Sequence, residues 1–228
     1  MKKVLLLLIL LNSSFLFAQS EWAPKGAIWH YNYPSETGIQ YTTIESVGDT
    51  IIHGIECKIL QTSLNLDPVR VYSYYNDGIV WVTKKGPFHK LYDFNANIGD
   101  TWQVIDVFGR CQTDSLATVI VDRIGDTTIN NIQLSYIVVR FLTSARWGFE
   151  CYGTSGTSYK IIENIGALGY MFPQSFCAID FPYPCSLRCY SDSKLGTFET
   201  GIADSCNLTV TEINENLLKK SIAIYPNP

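Results

Sequence analysis

A twelve-residue unit that occurs twice constrains the fold of this chain more than any other feature. The first copy runs from Gly48 through Asp49, Thr50, Ile51, Ile52, His53 and Gly54 to Ile59. The second runs from Gly125 through Asp126, Thr127, Thr128, Ile129, Asn130 and Asn131 to Tyr136, in the same register. An apolar residue, Val47 or Ile124, precedes each Gly-Asp-Thr, and a short run rich in β-branched residues follows. Type I′ hairpin turns need positive φ at both central residues, which Gly and Asn adopt readily and His better than most. Each copy therefore reads as a strand, a Gly-Asp turn and a tight hairpin. A third Gly-Asp-Thr, Gly99 to Thr101, opens another strand. The copies stand 77 residues apart, as two related half-sheets facing one another would place them. Such devices build sheets and perform no chemistry.

The rest of the chain agrees with a sheet. Residues 27–33 alternate aromatic with polar, 34–38 read as a turn, and 39–47 lead into the first repeat. Its exit strand reaches about Ser63. Val69–Tyr75, the turn Asn76-Asp77-Gly78 and Ile79–Thr83 make the plainest hairpin. Lys84-Lys85-Gly86-Pro87 is a break, and strands are expected at 89–94, from 101 to 105, at 116–124 and at 132–142. No sustained 3.6-residue period with caps occurs in this span. The expected class is all-β, an antiparallel meander forming a β-sandwich or a partly closed barrel. Beyond Leu142 lie a Gly/Ser/Thr loop at 153–158, a strand from Tyr159 ending in the Gly166 turn, and a Pro- and Cys-rich stretch from Pro173 to Cys206. That last stretch is expected to be a loop-rich flap stapled by disulfides.

The chain opens like a secretory leader: Lys2 and Lys3, an apolar run from Val4, and Ala18 before Gln19. The expected organisation is a signal peptide at 1–18, a β-rich extracellular domain at 19–206 and a linker at 207–221. No other apolar run approaches spanning length. The 17 basic and 21 acidic residues give a net charge of −4, and losing Lys2 and Lys3 makes it −6. A mildly acidic product without a basic patch argues against nucleic acid or anionic lipid as partner.

Export makes disulfides permissible for the seven cysteines. Cys57 shares a strand face with Ile55 and Ile59, where a thiol behaves as a small hydrophobe. The disulfide candidates are Cys111, Cys151, Cys177, Cys185, Cys189 and Cys206. The pairing we expect joins Cys177 to Cys185, Cys189 to Cys206 and Cys111 to Cys151. Zinc is the rival reading, since Cys185 and Cys189 have a plausible ligand spacing, but no His lies nearby.

Catalytic signatures are sparse. The three histidines are His30, His53 and His89, and no Gly-x-Ser-x-Gly elbow accompanies them. Glu150 with Glu163, or Asp93 with Asp106, could flank a glycosidase cleft, yet solvated acids are common on β surfaces. The Gly-Asp-Thr aspartates lack the density of a calcium loop, and there is no phosphate loop or dinucleotide fingerprint. No cofactor is expected. Aromatics are the remaining hint: Trp29, Tyr31 and Tyr33 share one strand face, as do Tyr72 and Tyr74, with Trp81 across the hairpin. Exposed on a sheet, such rings bind sugars or proteins; turned inward, they fill the core.

The chain ends Ser221-Ile222-Ala223-Ile224-Tyr225-Pro226-Asn227-Pro228. This resembles the opening of the C-terminal sorting domain carried by cargo of the type IX secretion system, with Tyr225, Pro226, Asn227 and Pro228 at its first turn. Residues 222–228 would then be a truncated start of that domain. The Gly-Asp-Thr hairpins, the stretch 91–101, Ile162-Glu163-Asn164-Ile165-Gly166 and Leu187-Arg188-Cys189-Tyr190-Ser191-Asp192 resemble uncharacterised secreted proteins bearing this tail. The resemblance implies the type IX machinery as a partner and the cell exterior or surface as the destination. It transfers no activity. The leading expectation is a non-catalytic extracellular or cell-surface module that contacts glycan or protein. The alternatives are a secreted hydrolase of polysaccharide or peptide, and a barrel enclosing a small ligand.

Overall fold

The computed structural model describes residues 21–35, 38–63, 69–109, 116–142, 147–149, 158–176 and 184–209. The leader, most of the linker, the sorting motif at Tyr225–Pro228, and Cys111, Cys151 and Cys177 lie outside them.

The described residues are all-β. In chain order the strands are β1 (Ile28–Ser35), β2 (Gly38–Ile52), β3 (Ile55–Thr62), β4 (Val69–Asn76), β5 (Ile79–Thr83), β6 (His89–Asp93), β7 (Thr101–Ile105) and β8 (Leu116–Ile129). There follow β9 (Ile132–Phe141), β10 (Trp147–Gly148), β11 (Tyr159–Ile162), β12 (Gly166–Ala167), β13 (Gln174–Ser175), β14 (Leu187–Asp192) and β15 (Gly196–Glu199). One sheet has eight strands in the order β15-β14-β1-β2-β3-β4-β5-β6, and another has five in the order β12-β11-β9-β8-β7. A short β10-β13 ribbon completes the set. Neighbouring strands pair antiparallel throughout. Within β1–β6 the order follows the sequence, the meander that short polar turns between apolar runs dictate.

The inner faces of both sheets meet in one core. Trp29, Ile44, Leu60, Val71 and Val80 come from the eight-stranded sheet, and Val104, Val119, Ile137 and Ile161 from the five-stranded one. Strand alternation produces this directly. In β8, Ala117, Val119 and Val121 are buried while Leu116, Thr118 and Ile120 are not.

The two repeats form one hairpin in each sheet, with the same internal register. Gly48, Asp49 and Thr50 face Ile59, Lys58 and Cys57; Gly125, Asp126 and Thr127 face Tyr136, Ser135 and Leu134. The joints have positive φ at both positions: 52° at His53 and 81° at Gly54, 50° at Asn130 and 64° at Asn131. One detail is corrected. Gly48-Asp49 and Gly125-Asp126 are not turns, because β2 and β8 run straight through them. The irregularity appears instead as a register shift, at Val47 directly before Gly48 and at Asp122 three residues before Gly125. Only Gly99-Asp100 precedes its strand from outside, with φ 94° at Gly99.

The Pro- and Cys-rich stretch is stapled by Cys189–Cys206, with Cα atoms 5.5 Å apart. It is more than an appended flap. Strand β14 pairs with β1, Trp29 facing Tyr190 and His30 facing Cys189, so the end of the chain closes the side of the sheet on which the chain began.

Candidate functional site

The two aromatic groups have opposite fates. Trp29 and Tyr31 are fully buried. The Trp29 indole N–H donates to the Ile165 carbonyl at 2.7 Å, and the Tyr31 ring stands edge-on to Tyr170 at 5.0 Å. Tyr33 is half-buried. This row fills the core.

Tyr72, Tyr74 and Trp81 alternate with buried Val71, Ser73, Val80 and Val82 and so lie on the outer face, half-buried. Tyr74 sits directly across from Trp81, and their rings are 6.1 Å apart and nearly parallel at 10°. Phe88 adds an edge-on contact to Tyr74 at 4.8 Å. Cys57 is buried and free. Alternation along β3 turns it to the face opposite Leu60, where it is close enough to Tyr74 to bear on that phenol. Sequence reasoning passed over Phe88, because it follows a Gly-Pro break and belongs to no periodic run.

The loop that carries Phe88 also borders a cleft of about 330 Å³. Thr83, Lys84, Lys85, Pro87 and His89 line one side, and residues 105–109 the other. Lys90, on β6 opposite Trp81, is ion-paired with Asp93. Among the described residues no ion pair engages Lys84 or Lys85. The net charge had concealed this local patch.

A larger groove of about 820 Å³ runs beside the β2–β3 hairpin. It holds a charge network: Lys58 Nζ lies 2.6 Å from Glu21 and 2.8 Å from Asp49, and Lys194 Nζ 3.3 Å from Glu21. The hydrogen bond from Lys58 holds the Glu21 carboxyl below the usual carboxylate range, against a smaller opposing effect of burial. Burial pulls Lys58 down, but its bonds to Asp49 and Glu21 outweigh that and leave its pKa raised. Both groups are thereby fixed in their charged forms. A general acid or base at neutral pH needs the reverse, a carboxyl pushed up or an amine pushed down.

The other catalytic candidates are occupied elsewhere. Buried Asp106 accepts the Ser175 hydroxyl at 2.7 Å and the Phe108 amide at 3.0 Å. Asp93 accepts the Asn95 amide at 3.1 Å as well as pairing with Lys90. Glu163 faces the Ser135 amide at 3.4 Å, and its suggested partner Glu150 lies outside the described residues, as does the loop at 153–157. His53 is an exposed turn residue. His30 lies against Tyr41 at 5.8 Å. His89 shares the smaller cleft with Asp106, but Ser175 bonds the carboxylate and not the imidazole.

The three Gly-Asp-Thr aspartates have three separate uses. Asp49 pairs with Lys58, Asp100 accepts the Asn97 amide at 2.8 Å, and Asp126 approaches the Ser135 hydroxyl at 3.5 Å. Cys189, Glu199 and Cys206 stand within metal-ligand spacing, yet the two sulfurs are bonded to each other. Cys185 is disulfide-bonded too. A zinc site needs thiolates, which these sulfurs do not offer. No family model, no curated protein and no solved structure matches the chain.

Proposed function

We propose that this chain is a non-catalytic extracellular or cell-surface β-domain that binds glycan or protein through the outer face of β4 and β5. The observation that carries the reading is the Tyr74–Trp81–Phe88 cluster. Trp22, Trp29, Trp102 and Trp147 are buried, whereas Trp81 is left partly open on a sheet face, stacked on Tyr74, which Phe88 meets edge-on in turn. Keeping large rings at a surface forgoes the stabilisation of burying them. The hydrolase reading has less support, since Asp93 and Asp106 are engaged by backbone amides and Glu21 shifts in the wrong direction. The carrier reading needs a lined interior void, and ring contacts such as Trp22–Trp29 and Tyr92–Phe149 occupy the space between the sheets.

In this proposal residues 1–18 direct export, 19–206 bind, 207–221 link, and 222–228 begin the type IX sorting domain that places the molecule outside the cell. The test is a glycan-array and surface-protein binding screen with the chain from Gln19, alongside Trp81→Ala and Tyr74→Ala. Binding that the variants lose while their melting temperatures hold supports the assignment. Binding that survives in both variants rejects it.

A further inference from the structure

The aromatic cluster does not stand in neutral surroundings. Residues 79–92 carry Lys84, Lys85, His89 and Lys90 without one Asp or Glu, in a chain whose net charge is −4. Lys90 is neutralised by Asp93, but no ion pair among the described residues engages Lys84 or Lys85. The segment Lys84–Phe88 joins the two features: Lys84 and Lys85 line the cleft of about 330 Å³, and Phe88 packs against Tyr74. Thr83, which also lines the cleft, is the cross-strand partner of Tyr72. Rings, two lysines outside the ion pairs of the described residues and a cleft at the small end of the range for ligand sites thus meet along one loop; the cleft's carboxylate, Asp106, is buried and taken up by Ser175 and the Phe108 amide.

We propose that this surface takes an anionic polysaccharide, its sugar rings stacking on Trp81 and Tyr74 while carboxylate or sulfate groups meet Lys84 and Lys85. The inference rests on the reading that the outer aromatic face is the binding face, and it names the class of ligand. A neutral glycan would need the rings and not the lysines. Duplex DNA carries a charge about every 1.7 Å of its axis, a density that two lysines on an acidic protein do not match. A uronate or sulfated sugar places its charge beside a ring that can stack, which fits both halves of the site.

The test is affinity electrophoresis and calorimetry with the chain from Gln19 against alginate, dextran sulfate, unsulfated dextran and duplex DNA, at low and physiological salt. Lys84→Ala/Lys85→Ala and Trp81→Ala are run in parallel, with thermal melting as the folding control. The expected result is salt-sensitive binding of alginate or dextran sulfate, the preferred one separating carboxylate from sulfate. The double variant should weaken it about tenfold, the scale of two exposed charge contacts, and Trp81→Ala at least as much. Unsulfated dextran bound equally well by wild type and double variant overturns the anionic assignment and leaves the aromatic face standing. DNA bound as tightly as the glycans, with Trp81→Ala unaffected, overturns both; the absence of binding to every polymer overturns the anionic-polysaccharide assignment alone, the outer face then being judged by the wider glycan and protein screen.

Discussion

Gly78 shows how one residue is fixed by its neighbours. Its φ is 75°, and an added Cβ would lie 2.4 Å from Asn95 Nδ2, the atom that donates to the Asp77 carbonyl at 2.6 Å. Gly78→Ala should cost about 1–3 kcal/mol through backbone strain and overlap together. Adding Asn95→Ala should recover only part, since the overlap goes and the φ remains; urea midpoints of the single and double variants check this. His30 gives a pH signature. Burial first, and then the Arg188 charge, lower its pKa from the ordinary 6.5. The unfolded chain therefore binds a proton that the folded one refuses. Stability should fall as pH drops below 6.5 towards the lower folded value, and His30→Gln should remove that portion of the fall. Denaturation midpoints of the two proteins across mildly acid pH measure it.

At the scale of elements, hairpins of the same internal register acquire different duties. The His53-Gly54 tip is exposed, whereas Asn130 Nδ2 donates at 2.8 Å to both the Leu195 and Thr197 carbonyls and so docks the second tip on the β14–β15 turn. Asn130→Gly keeps the turn but loses both bonds, and should cost about 1–2 kcal/mol. His53→Gly should change little by the same chemical-denaturation measurement. Strand β14 is pinned from two sides. Its buried Arg188 donates to Asn32 Oδ1 at 2.5 Å and to the carbonyls of Gln40, Cys206 and Leu208, while Cys189–Cys206 closes a loop with a sequence separation of 17. Converting both cysteines to Ala should lower stability by about 3 kcal/mol, the loop-closure entropy restored to the unfolded chain.

For the whole molecule, the return of β14 to β1 makes the fold depend on its far end. The Tyr190 ring lies 4.9 Å from that of Trp29, so a chain stopped at residue 176 loses both a strand pairing and part of the core. Such a chain should show no cooperative thermal transition by circular dichroism, and one stopped at residue 209 should keep it. Tryptophan fluorescence offers a check on the outer face. With the other four tryptophans buried, acrylamide should quench mainly Trp81, and Trp81→Phe should abolish the quenchable fraction.

What the sequence by itself determined is local. Positive-φ pairs such as His53-Gly54, Asn130-Asn131 and Asp77-Gly78 leave few alternatives to tight hairpins, and period-2 runs such as Ala117–Val121 choose a face. The strands from β1 to β9 were legible for that reason. Tertiary structure decided whatever depends on which faces meet. Trp29 and Trp81 both sit in strands of alternating pattern, and only the arrival of the second sheet on one side buries the first and leaves the second open. The repeat's Gly-Asp reads as a turn in isolation, yet eight cross-strand pairs in the β2–β3 hairpin and ten in β8–β9 hold the strand straight through it. The joining of Lys84, Lys85 and Phe88 to Tyr74 and Trp81 belongs to the same category, because a loop has no period and its side chains acquire meaning only from the surface they land on.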